Sequence, residues 1–420
     1  MSKGREIPLL DDTLTMVLAG GQGSRLYPLT RDRAKPSVPF GGVYRIIDFT
    51  LSNCLNSGLC KINLITQYKS FSLDRHISLG WSRVFKRPEQ NEYLNIIPPQ
   101  QRVTQNWYLG TADAIFQNIY FLQRERPKRV LILGGDHIYK MNYARMIEYH
   151  SDKDAEITMA CTTVSVEDAY RFGIAQTRED RSIYGFQEKP KENPTTIPGD
   201  PTRCLASMGI YLFNTEVLVR CVSQDARDPD SAHDFGKNII PDMVNDRRPV
   251  FAYPFTDQET GEPGYWRDVG TLDAYWEANM DLIDVDPDFN LHNPDWPIHY
   301  YVAPYPPAKF VHEVETEKGL RCGEAINSIV APGVVISGGQ ARRCVLSPQV
   351  RINSFAVVED SILMDGVDVG RHCRIRKAII DKRTKVPPDT VIGYDHNEDR
   401  TRFAISKNGV VIVPKEMPFD

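Results

Sequence analysis

The run Met16-Val17-Leu18-Ala19-Gly20-Gly21-Gln22-Gly23-Ser24-Arg25-Leu26 decides how the larger part of this chain is read. An apolar, strand-length segment opens into backbone with few Cβ atoms and ends on a guanidinium. Phosphate recognition asks for these parts: N–H donors that a ligand can approach closely, and a planar cation for two-pronged contact. Leu26 stands where a dinucleotide-binding G-x-G-x-x-G would need glycine, and no G-K-[ST] follows as in a Walker loop. Taken alone, the loop serves equally well as a tight turn. The next stretch, Arg31-Asp32-Arg33-Ala34-Lys35-Pro36, brings further cations close to Arg25 and favours the phosphate reading.

Outward from this loop, short apolar runs recur at Lys61–Thr66, Arg129–Leu133 and Glu156–Cys161, separated by helix-like segments. They alternate poorly, as strands buried on both faces of a mostly parallel sheet do. Residues 1–285 are therefore expected to form a three-layer, Rossmann-like α/β domain with its ligands beyond the carboxyl ends of the strands. Residues 286–310 are proline-rich, and their aromatics (Phe289, Trp296, Tyr300, Tyr301, Tyr305) suggest a connector that is packed down. From 311 to 420 the texture changes to β-branched pairs such as Val334-Val335-Ile336, Val345-Leu346, Ile362-Leu363 and Ile379-Ile380, spaced by Gly, Asn and Asp. A repeat of roughly six residues points to a parallel β-helix, with an irregular β-sandwich as the alternative.

The chain has 420 residues, more than one core usually serves, and its 41% hydrophobic and 25% charged content is that of an ordinary globular protein. A net charge of -5 argues against a nucleic-acid partner, so any anion site must be local. Eight scattered cysteines without a C-x-x-C pair suit reduced thiols rather than zinc. Neither a leader nor a membrane span of about eighteen apolar residues is evident, which makes the cytoplasm the default expectation.

Asp136 follows the run Val130-Leu131-Ile132-Leu133 through Gly134-Gly135, a carboxylate at a strand's end beside open backbone. It suits a hard metal ion, or equally the cap of a helix starting near Asn142. At this point the glycine loop with its basic follower, and four further motifs in order, resemble the sugar-1-phosphate nucleotidylyltransferases. They are the glycine loop with Arg33-Ala34-Lys35-Pro36; Asn106-Trp107-Tyr108-Leu109-Gly110-Thr111-Ala112-Asp113-Ala114; Gly135-Asp136-His137-Ile138-Tyr139-Lys140; Phe186-Gln187-Glu188-Lys189-Pro190; and Tyr265-Trp266-Arg267-Asp268-Val269-Gly270-Thr271. Together with Leu205-Ala206-Ser207-Met208-Gly209-Ile210-Tyr211 they are similar to the bacterial ADP-glucose pyrophosphorylase branch, the glucose-1-phosphate adenylyltransferases, over nearly the whole chain.

The resemblance implies a left-handed parallel β-helix at the C-terminus, a homotetramer, and the conversion of ATP and glucose 1-phosphate to ADP-glucose and diphosphate in glycogen-type synthesis. It implies Mg²⁺ on Asp136 and Asp268, with Arg25 and Lys35 on the triphosphate. Tyr108, Gly173, Glu188, Lys189 and Ser207 are implied for glucose 1-phosphate. Leu18, Ala19, Gly20, Gly21, Gly23, Gln67, Gly110 and Thr111 are implied for ATP, Gln67 reading the base. His137 is expected to be structural. Because Lys189 precedes Pro190, its backbone is expected to be extended.

A second anion site is suggested by the cation-rich segment Arg371 to Lys385, which also reads as the solvated face of a solenoid. By resemblance Arg33, Arg45 and Arg371 match positions that hold anionic allosteric effectors between the two domains. Asp32 stands where several relatives are basic and Pro39 where some carry His, which leaves effector identity open. A non-catalytic regulatory subunit would be expected to lack the acidic or cationic residues retained here. An acyltransferase β-helix would call for a cleaner repeat and a base; His372 stands alone in the coils.

Overall fold

The computed structural model describes residues 9–85, 92–100, 107–257, 262–311, 313–316 and 319–419; Asn106 of the second motif lies outside them. The N-terminal part is built on a nine-stranded sheet. Its strands are β1 (Thr13–Ala19), β2 (Lys61–Thr66), β3 (Tyr93–Ile97), β4 (Arg129–Gly134), β5 (Ile157–Ser165), β6 (Gly173–Thr177), β7 (Ile183–Glu188), β8 (Arg203–Asn214) and β9 (Val250–Pro254). The order is β7-β6-β8-β4-β1-β2-β3, with β5 on β8 and β9 on β5. The expected strands β4, β1 and β2 run parallel and in register, Val17 facing Leu133 and Leu64, and β3, which the apolar runs did not disclose, extends them in parallel.

The other half of the sheet is largely antiparallel. Strand β8 runs against β4 and β5, and β6 and β7 form a hairpin because only the Arg178–Ser182 turn separates them, too short for a crossover helix. Cores fill both faces of the sheet. Met16, Ile132, Met159 and Phe213 point to one side; Val17, Leu64, Leu133 and Leu212 point to the other, as period-two side chains of a doubly covered sheet must.

After the last helical turn at Asp281–Ile283 there is no regular element until the strand Lys309–Val311. The intervening chain is tied to the helix Ile46–Asn56. Trp296 Nε1 donates to Asn53 at 2.9 Å, His299 N to Ser52 Oγ at 2.9 Å, and Asn56 to the Pro297 carbonyl at 2.9 Å.

The C-terminal strands stack into three sheets, parallel except that Ala404–Ile405 ends one of them antiparallel. Val335 pairs with Arg351, Arg351 with Asp368 and Asp368 with Lys385, a coil of 16 or 17 residues that matches three sides of about six each. The first coil is longer because it carries the hairpin Val314–Thr316/Gly319–Arg321. Val334, Ile336, Val350, Ile352, Val367, Val369 and Val386 are stacked along the interior, each buried Val or Ile contributing about 1.5–3 kcal/mol.

One side of this solenoid shares a core with the N-terminal half. Val345, Ile362, Met364, Ile379 and Ile412 pack with Leu29, Phe40, Phe49 and Tyr275. Among the described residues no helix is long and apolar enough to cross a membrane. The eight cysteines are free thiols, five of them buried.

Candidate active site

Three strand ends and one hairpin converge on a cavity of about 480 Å³, the size of a small-ligand site. Strand β1 delivers the glycine loop. Gly23 adopts φ +61°, and a Cβ there would come within 3.0 Å of Thr30 and 3.1 Å of Lys35, so the loop closes only with glycine. Strand β4 delivers Asp136 through Gly135, whose N–H donates to the Leu18 carbonyl at 3.0 Å. A two-residue pairing of Ile138–Tyr139 with Trp266–Arg267 then sets Asp268 beside Asp136. Asp136 does not cap the following helix; Asn142 does, accepting from Ala144 N at 3.0 Å.

Lys35 Nζ lies 3.0 Å from Asp136 Oδ2 and 3.0 Å from Asp268 Oδ1, and only 8% of its side chain is exposed. Burial acts against the charge of all three groups, and their mutual attraction outweighs it. The Asp136 and Asp268 carboxyls are held below the usual carboxylate range by Lys35, then His137, while the two carboxylates raise the Lys35 ammonium. Arg25 Nη2 is 4.0 Å from Asp268 Oδ2 and 65% exposed, so it is free to turn toward a ligand. His137 Nε2 stands 3.6 Å from Asp136 Oδ1, its ring edge-on to Trp266.

The opposite wall comes from the antiparallel half. Glu188 at the end of β7 is wedged between glycines. A Cβ on Gly173 would fall 2.9 Å from Glu188 Oε2, and one on Gly236 2.7 Å from it. Lys189 Nζ pairs with Glu188 Oε1 at 2.9 Å. The Lys189 backbone is not extended as its place before proline suggested. Its φ is +49°, and its N–H closes the hairpin onto the Phe172 carbonyl at 3.0 Å, a left-handed turn that costs of order 1–3 kcal/mol. Ser207 sits where β8 breaks register, and Gly209 N donates to its Oγ at 3.3 Å.

The cavity wall thus gathers Leu18, Ala19, Gly20, Gly21, Gly23, Arg25, Lys35, Thr111, Asp136, Gly173, Glu188, Lys189, Ser207 and Asp268. Gln67, Tyr108 and Gly110 stand off it. Gln67 packs on Gly20, where a Cβ would fall 2.8 Å from its own, and its amide lies 3.5 Å from the Tyr108 carbonyl. Gly110 packs against the His233 carbonyl, which would be 2.2 Å from a Cβ there. Sequence reasoning missed Tyr211, Asp234, Gly236, Arg171 and, as a wall residue, Trp266. Asp234 accepts from Thr111 Oγ1 at 3.0 Å and from Gly236 N at 3.0 Å. It caps the helical turn Phe235–Ile239, and nothing in the sequence marks it.

Two carboxylates that already accommodate a cation between them fit a divalent ion. Among the described residues no group of three or more His, Cys, Asp or Glu could hold one, so its remaining ligands would be phosphate oxygens and water, the habit of Mg²⁺.

A second cavity, about 470 Å³, opens between the two halves. Arg33 and Arg45 line it with Lys382, Arg383, Asp32 and Pro39, while Arg371 is exposed on a coil outside it. Arg33 is buried and paired with Asp381 of the β-helix; Arg45 Nη1 donates to Ser72 at 2.8 Å and 2.9 Å.

A nucleotidyl transferase family model matches residues 14–285, and a GlmU-like C-terminal hexapeptide model matches 306–413. The chain is 54% identical to a glucose-1-phosphate adenylyltransferase of Rhodopirellula baltica, over 98% of this chain and 92% of the relative. It is 51% identical to one of Koribacter versatilis (96% of each) and 52% identical to one of Anaeromyxobacter sp. (96% and 98%). With a sheet ending in a phosphate-type loop, a solenoid of six-residue sides and half-identical relatives along almost its whole length, the chain belongs to the glucose-1-phosphate adenylyltransferases of the nucleotidyl transferase family.

Proposed function

We propose that this chain joins ATP and glucose 1-phosphate into ADP-glucose and diphosphate, a regulated step of a glycogen-type synthesis. An oxygen of the sugar phosphate attacks the α-phosphorus in line, forming the new P–O bond while the bond to the β-phosphate oxygen breaks. The sugar phosphate is largely dianionic near neutral pH, since its second pKa is about 6, so no general base is needed. Catalysis is then the neutralisation and alignment of two polyanions.

The observation that carries this reading is the Lys35 ammonium bridging Asp136 and Asp268 at one end of a cavity whose other end holds Glu188 and Lys189. Amides of Gly20, Gly21 and Gly23 with Arg25 and Lys35 receive the triphosphate, and Arg25 and Lys35 stabilise the departing diphosphate. Lys189 pairs with the sugar's phosphate, and Glu188, Ser207 and the wall around Gly173 take its hydroxyls. Asp136 and Asp268 would hold Mg²⁺, which when bound supplies charge neutralisation to the phosphates. Gln67, packed on Gly20 beside the glycine loop, reads the base, and Tyr108 reaches toward the sugar phosphate. Residues 1–285 carry the chemistry, 286–310 join the halves, and 311–420 regulate and assemble a cytoplasmic homotetramer. Anionic effectors occupy the interdomain cavity through Arg33 and Arg45, with Arg371 contributing from the surface.

The test is diphosphate release over a matrix of nucleoside triphosphates and sugar 1-phosphates, with fructose 6-phosphate, fructose 1,6-bisphosphate, pyruvate, AMP and orthophosphate as effectors. ATP with glucose 1-phosphate is expected to be the best pair by at least about tenfold in kcat/KM, roughly one hydrogen bond's worth of discrimination. A clear preference for another pair would replace the reading.

A further inference from the structure

The catalytic cavity is lined by Arg25, Lys35, Lys189 and Arg171, and the first three have their counter-charges on the same wall. Arg171 differs. Its acidic neighbour, Asp168 at 3.6 Å, is half exposed and lies outside the cavity, and Arg171 itself is 26% exposed. What holds its guanidinium is a stack: the group sits 5.3 Å from the centre of the Phe172 ring, and Phe172 packs edge-on against Trp266 at 5.3 Å. The hairpin register places Gly173 opposite Glu188, and the Phe172 carbonyl accepts from Lys189 N, so Arg171 stands at the same end of the site as Lys189.

A partly buried planar cation, braced by an aromatic ring and uncommitted to any cavity carboxylate, is arranged for an incoming dianion. We infer that Arg171 is a second cation for the phosphate of the sugar 1-phosphate, acting with Lys189 and setting affinity for that substrate rather than for the nucleotide. This rests on the reading that the Glu188–Lys189 end receives the sugar phosphate. Two cations on one phosphate also explain how Lys189 serves while paired to Glu188: the arginine supplies the charge that Glu188 offsets.

The experiment measures steady-state constants for Arg171→Met, Arg171→Lys and Lys189→Ala, with thermal midpoints for each. The methionine keeps the apolar stem over Phe172 without charge, and is expected to raise the glucose 1-phosphate KM about tenfold while the ATP KM stays put, the loss of one charge-assisted contact. Lysine, a cation without the fork, is expected to fall between. An unchanged glucose 1-phosphate KM in Arg171→Met beside a raised one in Lys189→Ala overturns the role of Arg171 and leaves the site reading intact. So does an effect confined to the ATP KM or to the thermal midpoint. If Lys189→Ala is also silent, the assignment of this end to the sugar phosphate falls, and Arg171 with it.

Discussion

Glu188 owes its position to absences. Gly173 and Gly236 leave room for its carboxylate, and an added methyl at Gly236 would meet Oε2 at 2.7 Å. Gly236→Ala is therefore expected to displace Glu188 and raise the glucose 1-phosphate KM by roughly ten- to a hundred-fold, with the ATP KM little changed. Steady-state kinetics with each substrate varied will check this, and equal effects on both would contradict it. At this scale the sequence was readable where residue type and motif coincide, as at Arg25, Lys35, Asp136 and Asp268. It was silent at Asp234, whose N-cap role hides its place on the wall. It misdirected at Lys189, because the bias against helical backbone before proline does not exclude the left-handed turn that ends this hairpin.

Among the elements, β1, β2 and β4 were legible from their apolar runs because burial on both faces leaves a continuous signature. The β6–β7 hairpin was not, since Gly173–Thr177 and Ile183–Glu188 are half-buried and carry few apolar residues. The helix Tyr143–Asp152 illustrates how packing sets a titration. His150, 2% exposed, receives Thr158 Oγ1 at Nδ1 (2.8 Å) and donates from Nε2 to Asn214 (3.2 Å), the pattern of a neutral ring. Burial lowers its pKa to about 4, against about 6.5 unfolded, so the unfolded chain takes up the proton first. Stability is expected to fall as pH drops from about 6.5 toward 4, by about 3 kcal/mol from this group. Urea midpoints at pH 7 and 4.5 should show a shallower loss in His150→Gln; equal slopes would remove His150 from the acid limb.

Across the whole molecule, the six-residue texture disclosed the solenoid, but how it docks could not be read from the chain. The sequence marks Arg33 only as a cation matching an effector position, yet its partner Asp381 is 348 positions away and both are buried between the two halves. Only Ala34 separates Arg33 from Lys35, so the loop that grips the β-helix also positions the clamp on Asp136 and Asp268. Asp381→Ala leaves a buried guanidinium unpaired and is expected to cost about 3–5 kcal/mol, whereas Arg33→Met with Asp381→Leu should recover most of it. Denaturant unfolding will decide, and a neutral Asp381→Ala would show that the pair is not what joins the halves.

The account turns on charge gathered at one point, and the most direct measurement is the turnover of Asp136→Asn with saturating ATP, glucose 1-phosphate and Mg²⁺. Lys35 keeps Asp268 as a partner in this variant, so the fold should persist with its thermal midpoint nearly unmoved. A fall in kcat of about a thousandfold is predicted, the scale of losing one preorganised charge at a reacting phosphate. A kcat within tenfold of the parent, in a folded protein, would contradict the account.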